Sequence, residues 1–451
     1  KLNVLIFNHF ISFISVLSLF HSVGKSDISL YLKIIKGGLM RRTLFYNVQV
    51  WDASREFVEE GMHILVEGDR IKEISDKPIK TTETLRINCK GKTIIPGLID
   101  CHCHVVMSSL DIRELQDIPL TLMTVKASTI MRDMLMRGFT SIRDMAGADW
   151  GLAEAVEKNL IVGPKIFFSG RALTQTGGHG DSRQRTHIGL EPCACSNGLN
   201  FTSIIADGTS EVRRAARDEL RKGATQIKVM ASGGVSSPYD PIDNIQYSEE
   251  ELSAIVQEAN SWNTYVAAHS YTSKSTQHAI NCGVRTIEHG NLIDRETADL
   301  MASKNVYLVP TLITYDALDR KGAQLGLPQT SIEKLQRVKD LGQNAISLCR
   351  EAGAKVGFGT DLLGTLQSEQ SAGLRVQNEV DSARDVLVSA TSVNAQILNK
   401  TNELGVVAVG AKADLILVNG NPLDEISLLF KPDETLDVIM KDGEIYKNAL
   451  N

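Results

Sequence analysis

The sequence lacks an excess of positive charge. Its 48 Lys and Arg residues are outnumbered by 54 Asp and Glu residues, which gives a formal charge of −6 and a pI near 6.0. A chain with this balance has no basic field that could hold a phosphate backbone or an anionic lipid surface. We therefore expect no nucleic acid and no stable membrane anchor among its partners, while the sequence leaves a homo-oligomer open.

Cysteine is also sparse. The chain of 451 residues has seven cysteines, an odd number that is scattered and does not resemble a disulfide framework. Reduced thiols are the expectation. Cys193 and Cys195, with His187 nearby, could be read as a metal site, but a structural zinc ion normally takes four ligands with wider cysteine spacing. We expect unpaired thiols or a loop disulfide there instead.

A run long enough to span a bilayer is missing as well. Residues 10–20 are apolar, which is about the length of a signal-peptide core and short of the roughly 20 residues that a transmembrane helix needs. No small-residue cleavage site follows before Met40. We expect residues 1–39 to be a non-native extension upstream of a start at Met40, with a signal-like segment as the alternative. The expected location is accordingly cytoplasmic, or exported if that segment is a working signal.

Both ends of the remaining chain have the pattern of short strands. Alternating apolar and polar residues separated by turn residues occur at 44–50 and 63–71, and the pattern returns at 413–418 and 436–446. We expect a small antiparallel sheet from these segments. The sequence predicts one β-sandwich domain built from residues 40–95 together with 403–451.

The middle of the chain, residues 96–402, alternates buried β-rich runs with amphipathic helical stretches such as 248–259. Such runs are typical of a parallel sheet covered by helices, and eight of them fit an α/β fold of the (β/α)8 TIM-barrel type. The eight candidate strands are 94–102, 140–144, 165–169, 226–230, 264–269, 286–289, 306–310 and 355–360.

Several candidate strands end in residues that bind metals. His102 and His104 are two apart, so in an extended backbone their side chains point to the same side and can share one ion. His269 and His289 end the fifth and sixth candidates, and Asp361 follows the eighth, where a carboxylate could bind a metal and accept a proton from water. Each has a structural alternative, a partly buried imidazole or, for Asp361, a helix N-cap. Their coincidence at strand ends, where barrel enzymes place their active sites, favours a metal centre.

Lys228 lies within an apolar strand candidate, and an unpaired buried ammonium costs several kcal/mol. A salt bridge or a side chain reaching water would neutralise that cost. Reaction with carbon dioxide is the other possibility, because it gives a carbamate whose oxygens can bridge two cations. The residues alone leave both readings open.

Residues 96–104 read Pro-Gly-Leu-Ile-Asp-Cys-His-Cys-His, and this segment resembles the first-strand signature of the amidohydrolase superfamily. The later Lys228, His269, His289 and Asp361 match the remaining positions of that signature in order. The resemblance runs essentially from Met40 to Asn451, including Ala411 to Ile416 at the return into the sandwich. As an ordered set, these motifs are highly specific.

The resemblance implies a binuclear zinc hydrolase. His102, His104 and Asp361 would bind the more buried Zn2+, His269 and His289 the second, and carboxylated Lys228 would bridge the two. A hydroxide between the ions would attack a polarised carbonyl, and Asp361 would carry the proton to the leaving amine.

Within the superfamily the chain resembles the imidazolonepropionase-related dipeptidases that include prolidases. The resemblance rests on residues 176–181, 231–238 and 269–271. It implies that His179 polarises the carbonyl or stabilises the tetrahedral oxyanion and that Tyr271 helps to hold the substrate carboxylate. The structural alternatives for these two residues are loop ordering and packing. Arg183 and Arg185 are further candidates for that carboxylate, to which we assign no role.

The predicted function is hydrolysis of the amide bond of dipeptides, with Xaa-Pro leading, or of N-acyl amino acids. One alternative is a cyclic-amide hydrolase of the imidazolonepropionase type, which normally uses one metal ion; Lys228 argues for two. A catalytically silent barrel that only binds a ligand is the other, and six metal-competent side chains at strand ends argue against it.

Overall fold

The computed structural model describes residues 41–183, 185–186, 201–237 and 239–450. The predicted extension 1–39, and the cysteine pair Cys193 and Cys195 with His187, lie outside the described residues. The strands are β1 (Arg42–Val50), β2 (Glu59–Glu67), β3 (Arg70–Ser75), β4 (Leu85–Asn88), β5 (Thr93–Pro96), β6 (Leu98–Cys103), β7 (Phe139–Asp144), β8 (Lys165–Phe168), β9 (Ala172–Thr174), β10 (Ser203–Ile205), β11 (Ile227–Met230), β12 (Val266–Thr272), β13 (Thr286–Leu292), β14 (Tyr307–Val309), β15 (Leu415–Val418), β16 (Leu436–Lys441) and β17 (Glu444–Asn448).

The α-helices lie mostly between the strands of the central region. They are α1 (Ile112–Asp117), α2 (Leu120–Met136), α3 (Trp150–Glu157), α4 (Gly208–Arg221), α5 (Glu249–Ser261), α6 (Ser273–Asn281), α7 (Arg295–Ser303), α8 (Leu312–Lys321), α9 (Gln329–Val338), α10 (Gly342–Ala352), α11 (Ala372–Asn378), α12 (Ala383–Val388), α13 (Asn394–Ile397) and α14 (Pro432–Thr435). Short 3-10 helices lie at Gly364–Glu369 and Ile426–Leu429, and a π-helical turn at Ser389–Val393. Within the described ranges, no helix has the length and apolar character that crossing a membrane requires.

Both ends of the described chain join in one eight-stranded sheet, in the order β17-β16-β15-β5-β1-β2-β3 with β4 also paired to β1. The purely antiparallel pairing expected from the sequence is wrong in part, because β4 and β5 pair with β1 in parallel. Two strands that pair in parallel must run in the same direction, so the chain has to cross back to the starting end of β1 before β4 begins. The segment between β3 and β4 makes that crossing. Alternate residues of β15 enter two different cores: Leu415 and Leu417 lie within the sheet's own core, whereas Ile416 and Val418 pack towards Phe139 and Phe358 of the central region.

The central region is an α/β body whose strands pair in parallel. Its two sheets have the orders β6-β7-β8 and β10-β9-β11-β12-β13-β14. Seven of the eight candidate strands are present. The third, predicted at 165–169, is β8; the short strand β9 follows it, was not predicted, and pairs with β11 in the other sheet.

The eighth candidate strand, residues 355–360, is wrong as a regular strand. The segment makes only one bridge, from Val356 to Leu308 of β14, and its backbone also bonds to β6, with Cys101 N donating to Phe358 O at 2.9 Å. The side-chain amide of Asn394 explains the irregularity. It donates to Ile99 O at 2.7 Å and to Phe358 O at 2.8 Å, and accepts from Phe358 N at 3.1 Å, taking the place of ladder bonds.

The crossover helix expected at 248–259 is confirmed as α5. Ser248 caps its N-terminus in a capping box with Glu251, which satisfies two backbone donors at once. Leu252, Ile255 and Val256 are buried on the stripe that the sequence indicated. Helices anchored in this way hold the parallel strands at fixed spacing and so fix where their carboxyl ends lie.

Candidate functional site

A cavity of about 420 Å³ opens at the carboxyl ends of the parallel strands. All the side chains that the sequence singled out for metal and substrate line it. They are His102, His104, His179, Lys228, His269, Tyr271, His289 and Asp361. The structure therefore brings together eight residues that are spread over most of the central region.

His102, His104 and Asp361 form the tightest group, with one ligand atom of each lying within 4.8 Å of the others. Asp361 Oδ1 lies 3.1 Å from His104 Nε2 and 3.5 Å from His102 Nε2. Asp361 N donates to His102 O at 2.7 Å, which fixes the carboxylate to the end of β6. Two imidazoles and one carboxylate around a common point are a donor set that suits Zn2+.

Both imidazoles, of His102 and His104, are positioned by a hydrogen bond from Nδ1. His102 Nδ1 donates to Glu288 Oε2 at 2.8 Å, and His104 Nδ1 donates to Ala146 O at 3.1 Å. A hydrogen bond from one ring nitrogen fixes the tautomer and leaves the lone pair on the other nitrogen. Both Nε2 atoms are thus free to act as ligands and face Asp361.

Glu288 is fully buried and ties this group to the centre of the body. Its carboxylate accepts from Arg143 at 2.8 and 2.9 Å and from Thr286 Oγ1 at 2.6 Å, in addition to His102. Consecutive strand residues normally face opposite sides. Both Glu288 and His289 nevertheless lie against His102, whose ring centroid is 5.1 Å from that of His289. The backbone of His289, with a φ of 74°, lies in the left-handed region and breaks the alternation.

His269 and His289 form a second group beside the first, with ring centroids 4.5 Å apart. His269 Nε2 donates to Gly233 O at 3.2 Å, which leaves its Nδ1 as a ligand atom. His289 Nδ1 lies 2.8 Å from Thr311 Oγ1, 3.0 Å from Tyr315 Oη and 4.0 Å from Asp361 Oδ2. Asp361 therefore lies between the two pairs of imidazoles.

Lys228 lies on the cavity floor and is 2% exposed. Among the described residues, its ammonium makes no hydrogen bond or ion pair, so the salt bridge that the sequence left open is absent from this part of the chain. Burial lowers its pKa to about 8, although Glu288 and Asp361 oppose the shift. The neutral amine, which is the form that reacts with carbon dioxide, is thereby stabilised.

Burial also lowers the pKa of His102 and His269 well below the usual value, and that of His289 to about 3. For His104, burial acts in the same direction, but the hydrogen bond and charge of Asp361 outweigh it and raise the pKa, so a metal ion would have to displace a proton there. For Asp361, burial acts against ionisation, but His102 and His104 outweigh it and hold the pKa of the carboxyl below its usual range. Neutral imidazoles and an ionised carboxylate are the protonation states that bind metal. The residues present therefore fit a divalent ion.

His179 lies over the second histidine pair, with its ring stacked on that of His269 at 4.3 Å. Its Nδ1 donates to Asp240 Oδ2 at 3.1 Å, and its backbone N donates to Gln246 Oε1 at 2.8 Å. Asp240 is 1% exposed. The imidazole is thus held by a buried carboxylate on one side and faces the cavity with the other.

Tyr271 stacks on His289 at 5.1 Å, and its hydroxyl accepts from Tyr315 Oη at 3.1 Å. Arg183 pairs with Asp181 at 2.6 Å, so its guanidinium is engaged beside the cavity. Arg185 lies over the ring of Tyr239, a cavity residue, at 5.5 Å. A pair of tyrosine hydroxyls, rather than an arginine, is therefore the polar group beside the histidines.

Cys101 and Cys103 were expected to point away from the histidine pair, and this is confirmed. Both are buried, and their thiols lie 3.7 Å from Asn394 O and 3.6 Å from Arg143 O.

The residues that hold the site were missed at the sequence level. They are Arg143, Asp240, Glu288, Thr311 and Tyr315. Glu288 and Arg143 gave a signal, each as a charged residue inside a strand candidate; the other three lie in loops or helices with no distinctive spacing.

The amidohydrolase family model matches residues 93–446. Ochratoxinase from Aspergillus niger is 32% identical over 393 residues, which is 83% of this chain and 79% of that protein.

Solved structures agree in fold with this chain. One of an amidohydrolase is 47% identical with a TM-score of 0.88 and covers 91% of this chain and 100% of its own. A prolidase complexed with N-methylphosphonate-L-proline is 46% identical with a TM-score of 0.87, and a Xaa-Pro dipeptidase is 27% identical with a TM-score of 0.81. Both cover 90% of this chain and 100% of their own.

Proposed function

The chain belongs to the amidohydrolase family, and on this premise we propose that it is a binuclear zinc hydrolase of dipeptides, with Xaa-Pro as the leading bond, or of N-acyl amino acids. Membership makes it a hydrolase of carbon–nitrogen bonds rather than a silent binding protein. The observation that carries the proposal is the convergence of His102, His104, Lys228 and Asp361 with the second histidine pair in one cavity.

For the fold, we propose that the two parallel sheets and the segment 355–360 are parts of one (β/α)8 barrel. That segment bonds to β14 on one side and to β6 on the other, which is the position of an eighth strand. A barrel places the ends of all its strands around one mouth. The domain boundaries proposed are 96–402 for the barrel and 40–95 with 403–451 for the smaller domain.

For the metal centre, we propose that His102, His104 and Asp361 hold the more buried Zn2+ and that His269 and His289 hold the other. A carbamate on Lys228 would bridge them, because an unpaired amine with a lowered pKa between two cation sites is placed to take up carbon dioxide. The carbamate would also supply negative charge to two dications that otherwise have Asp361 as their one ligating carboxylate among the proposed ligands.

When bound, the two ions would polarise the substrate carbonyl and acidify the attacking water. Asp361 would accept the proton of that water and donate it to the departing amine, for which its position between the histidine pairs is suitable. His179 would donate to the developing oxyanion, with Asp240 holding its ring. Tyr271 would orient the carboxylate end of the substrate through its hydroxyl.

The Xaa-Pro preference rests on the relatives. A prolidase complexed with a proline derivative is 46% identical over nearly the whole barrel and smaller domain. The relative named ochratoxinase, at 32% identity, is the reason to include amides other than Xaa-Pro among the proposed substrates.

The test is to load the purified protein with zinc, measure the metal per chain, and screen dipeptides and N-acyl amino acids. We expect two ions per chain and turnover of Xaa-Pro dipeptides. One ion per chain with turnover of a cyclic amide would favour the imidazolonepropionase alternative. Turnover of other amides but of no Xaa-Pro dipeptide would overturn the proposed substrate, while the proposed reaction class, amide hydrolysis, would stand.

The five cysteines in the described residues are all free and buried. Free thiols are typical of a reducing compartment. We accordingly propose a cytoplasmic location, with export as the alternative.

A further inference from the structure

Lys334 is a half-buried lysine on α9, and its ammonium donates hydrogen bonds to backbone carbonyls. Nζ donates to Gly234 O at 3.0 Å, Ser237 O at 2.6 Å and Asp240 O at 2.5 Å. An ammonium has three N–H donors, so all are used. Among the described residues, no carboxylate lies within ion-pair distance of it. A lysine in free solvent would be hydrated by water instead of binding three carbonyls. The geometry therefore indicates that Lys334 holds the segment after β11 in place through Gly234, Ser237 and Asp240, and we call these three hydrogen bonds the clamp.

That segment supports the ring of His179. Asp240 Oδ2 accepts from Gly234 N at 2.9 Å and from His179 Nδ1 at 3.1 Å. A Cβ at Gly234 would lie 2.3 to 2.6 Å from atoms of the His179 imidazole, so the ring rests directly on this backbone. A shift of the segment would consequently move His179.

The loop that leads into the helix carrying Lys334 is part of the cavity wall. Leu327 and Pro328 line the cavity, and α9 begins directly after Pro328. Val235 and Ser236, from the segment that Lys334 contacts, also line the cavity. The lysine therefore connects two walls of the cavity that come from different crossovers.

We propose that Lys334 is a positioning residue for the hydrolysis: by holding the carbonyls of Gly234, Ser237 and Asp240 it fixes Asp240, and through it the ring of His179. The inference rests on the proposed function, in which His179 binds the oxyanion. A displacement of about 1 Å at such a group can cost on the order of a hundredfold in rate.

The chain offers a matched control on the same helix. Arg337 reaches Asp243, just beyond the clamped segment, at 3.0 and 3.1 Å. Its side chain is 52% exposed and that of Asp243 is 62% exposed. An exposed pair of this kind contributes little to stability because solvent screens its charges. Arg337→Met thus removes a contact between the same two elements without touching the clamp.

The first experiment needs no substrate. Hydrogen–deuterium exchange of the zinc-loaded protein is followed for the peptide covering 231–246. We expect Lys334→Met to speed exchange there by about tenfold or more, and Arg337→Met to change it by less than about twofold. Equal exchange in the two variants would overturn the clamp. Lys334→Gln, which keeps two donors, should fall between wild type and Met, and it takes the place of Met if that variant does not fold.

The second experiment uses L-alanyl-L-proline as the probe. Lys334→Met should lower kcat by about tenfold to a hundredfold with KM within about threefold, whereas Arg337→Met should match wild type. In a His179→Asn background, adding Lys334→Met should cost less than about twofold more, because the lysine acts through His179. A full further loss in that background would mean a general structural role and would overturn the proposal. If wild type does not cleave the probe, the proposed substrate fails, and the exchange experiment alone decides the clamp.

Discussion

The floor and the wall of the cavity are held in different ways. On the floor, His102 and Lys228 lie in strands, His104 directly follows one, and all three are nearly fully buried. Glu288 of β13 accepts a hydrogen bond from His102, and the backbone of Ala146 accepts one from His104. On the wall, His179 comes from a loop and is braced by Asp240 from another loop. A strand can shift little without disrupting the core, whereas a loop can change its course at small cost. We infer that the floor fixes the reaction and that the wall adjusts it to a substrate.

The largest expected effect is on the floor, at Lys228. Lys228→Ala removes the bridging group, so we expect one zinc ion to be lost and kcat/KM to fall on the order of a thousandfold, since several kcal/mol of charge stabilisation go with that ion. Metal analysis and kinetics measure both.

The control for Lys228 is Lys441→Ala, which removes another buried lysine far from the cavity, on β16, and should leave the metal content unchanged. Because the cavity of Lys228→Ala has room for a small acid, propionate should restore part of the activity. Two ions per chain in Lys228→Ala would contradict the bridging role.

A smaller effect is expected at Glu288, which contacts the proposed metal ligand His102 but is not itself a ligand. Glu288→Gln keeps the size of the side chain but weakens the acceptor for His102, and loss of such a partner typically costs about 10- to 100-fold in metal affinity. Competition with a chelator measures the affinity. Glu258→Gln, in a buried carboxylate paired with Arg213 and Arg217 elsewhere, is the control and should bind zinc as wild type does. Equal zinc affinity in the two variants would mean that Glu288 stabilises the buried core and does not support the metal ligand His102.

On the wall, Asp240→Asn should act on rate and leave the metal alone. The amide can still accept from His179, but it no longer stabilises a positive ring, and we expect kcat to fall by about tenfold with two zinc ions retained. Kinetics with parallel metal analysis tests this. A loss of metal would erase the distinction between floor and wall.

The smallest effect is expected at Tyr271. Tyr271→Phe removes one hydroxyl, worth about 1 kcal/mol, so KM should rise by about three- to tenfold with little change in kcat. Tyr247→Phe is the control, because the Tyr247 hydroxyl is buried without a partner among the described residues. A fall in kcat at unchanged KM would place Tyr271 in the chemistry instead.

The sequence predicts the floor far better than the wall. His102, His104, His269 and His289 could be found because each lies in or directly after the carboxyl half of a strand, and strand ends converge at one edge of a parallel sheet. Asp240 and Lys334 could not, since they lie in a loop and on a helix whose meeting depends on how two crossovers pack. The same holds for Asn394, whose side chain replaces backbone bonds of the eighth strand.

The left-handed backbone of His289 could not be predicted either. Histidine rarely adopts positive φ, and only the surrounding contacts stabilise it there. Without that conformation, Glu288 and His289 would face opposite sides, and the alternation rule would place only one of them against His102.

The sheet that joins both chain ends has a consequence for synthesis. Pro96 of β5 pairs with Leu415 of β15, so the early strands lack their neighbour until the whole intervening central region has left the ribosome. At a translation rate of about 5 to 20 residues per second, that delay is roughly 15 to 60 s. During this interval β5 presents an open edge to any other nascent strand. The yield of the folded enzyme should therefore depend on chaperones that shield this edge.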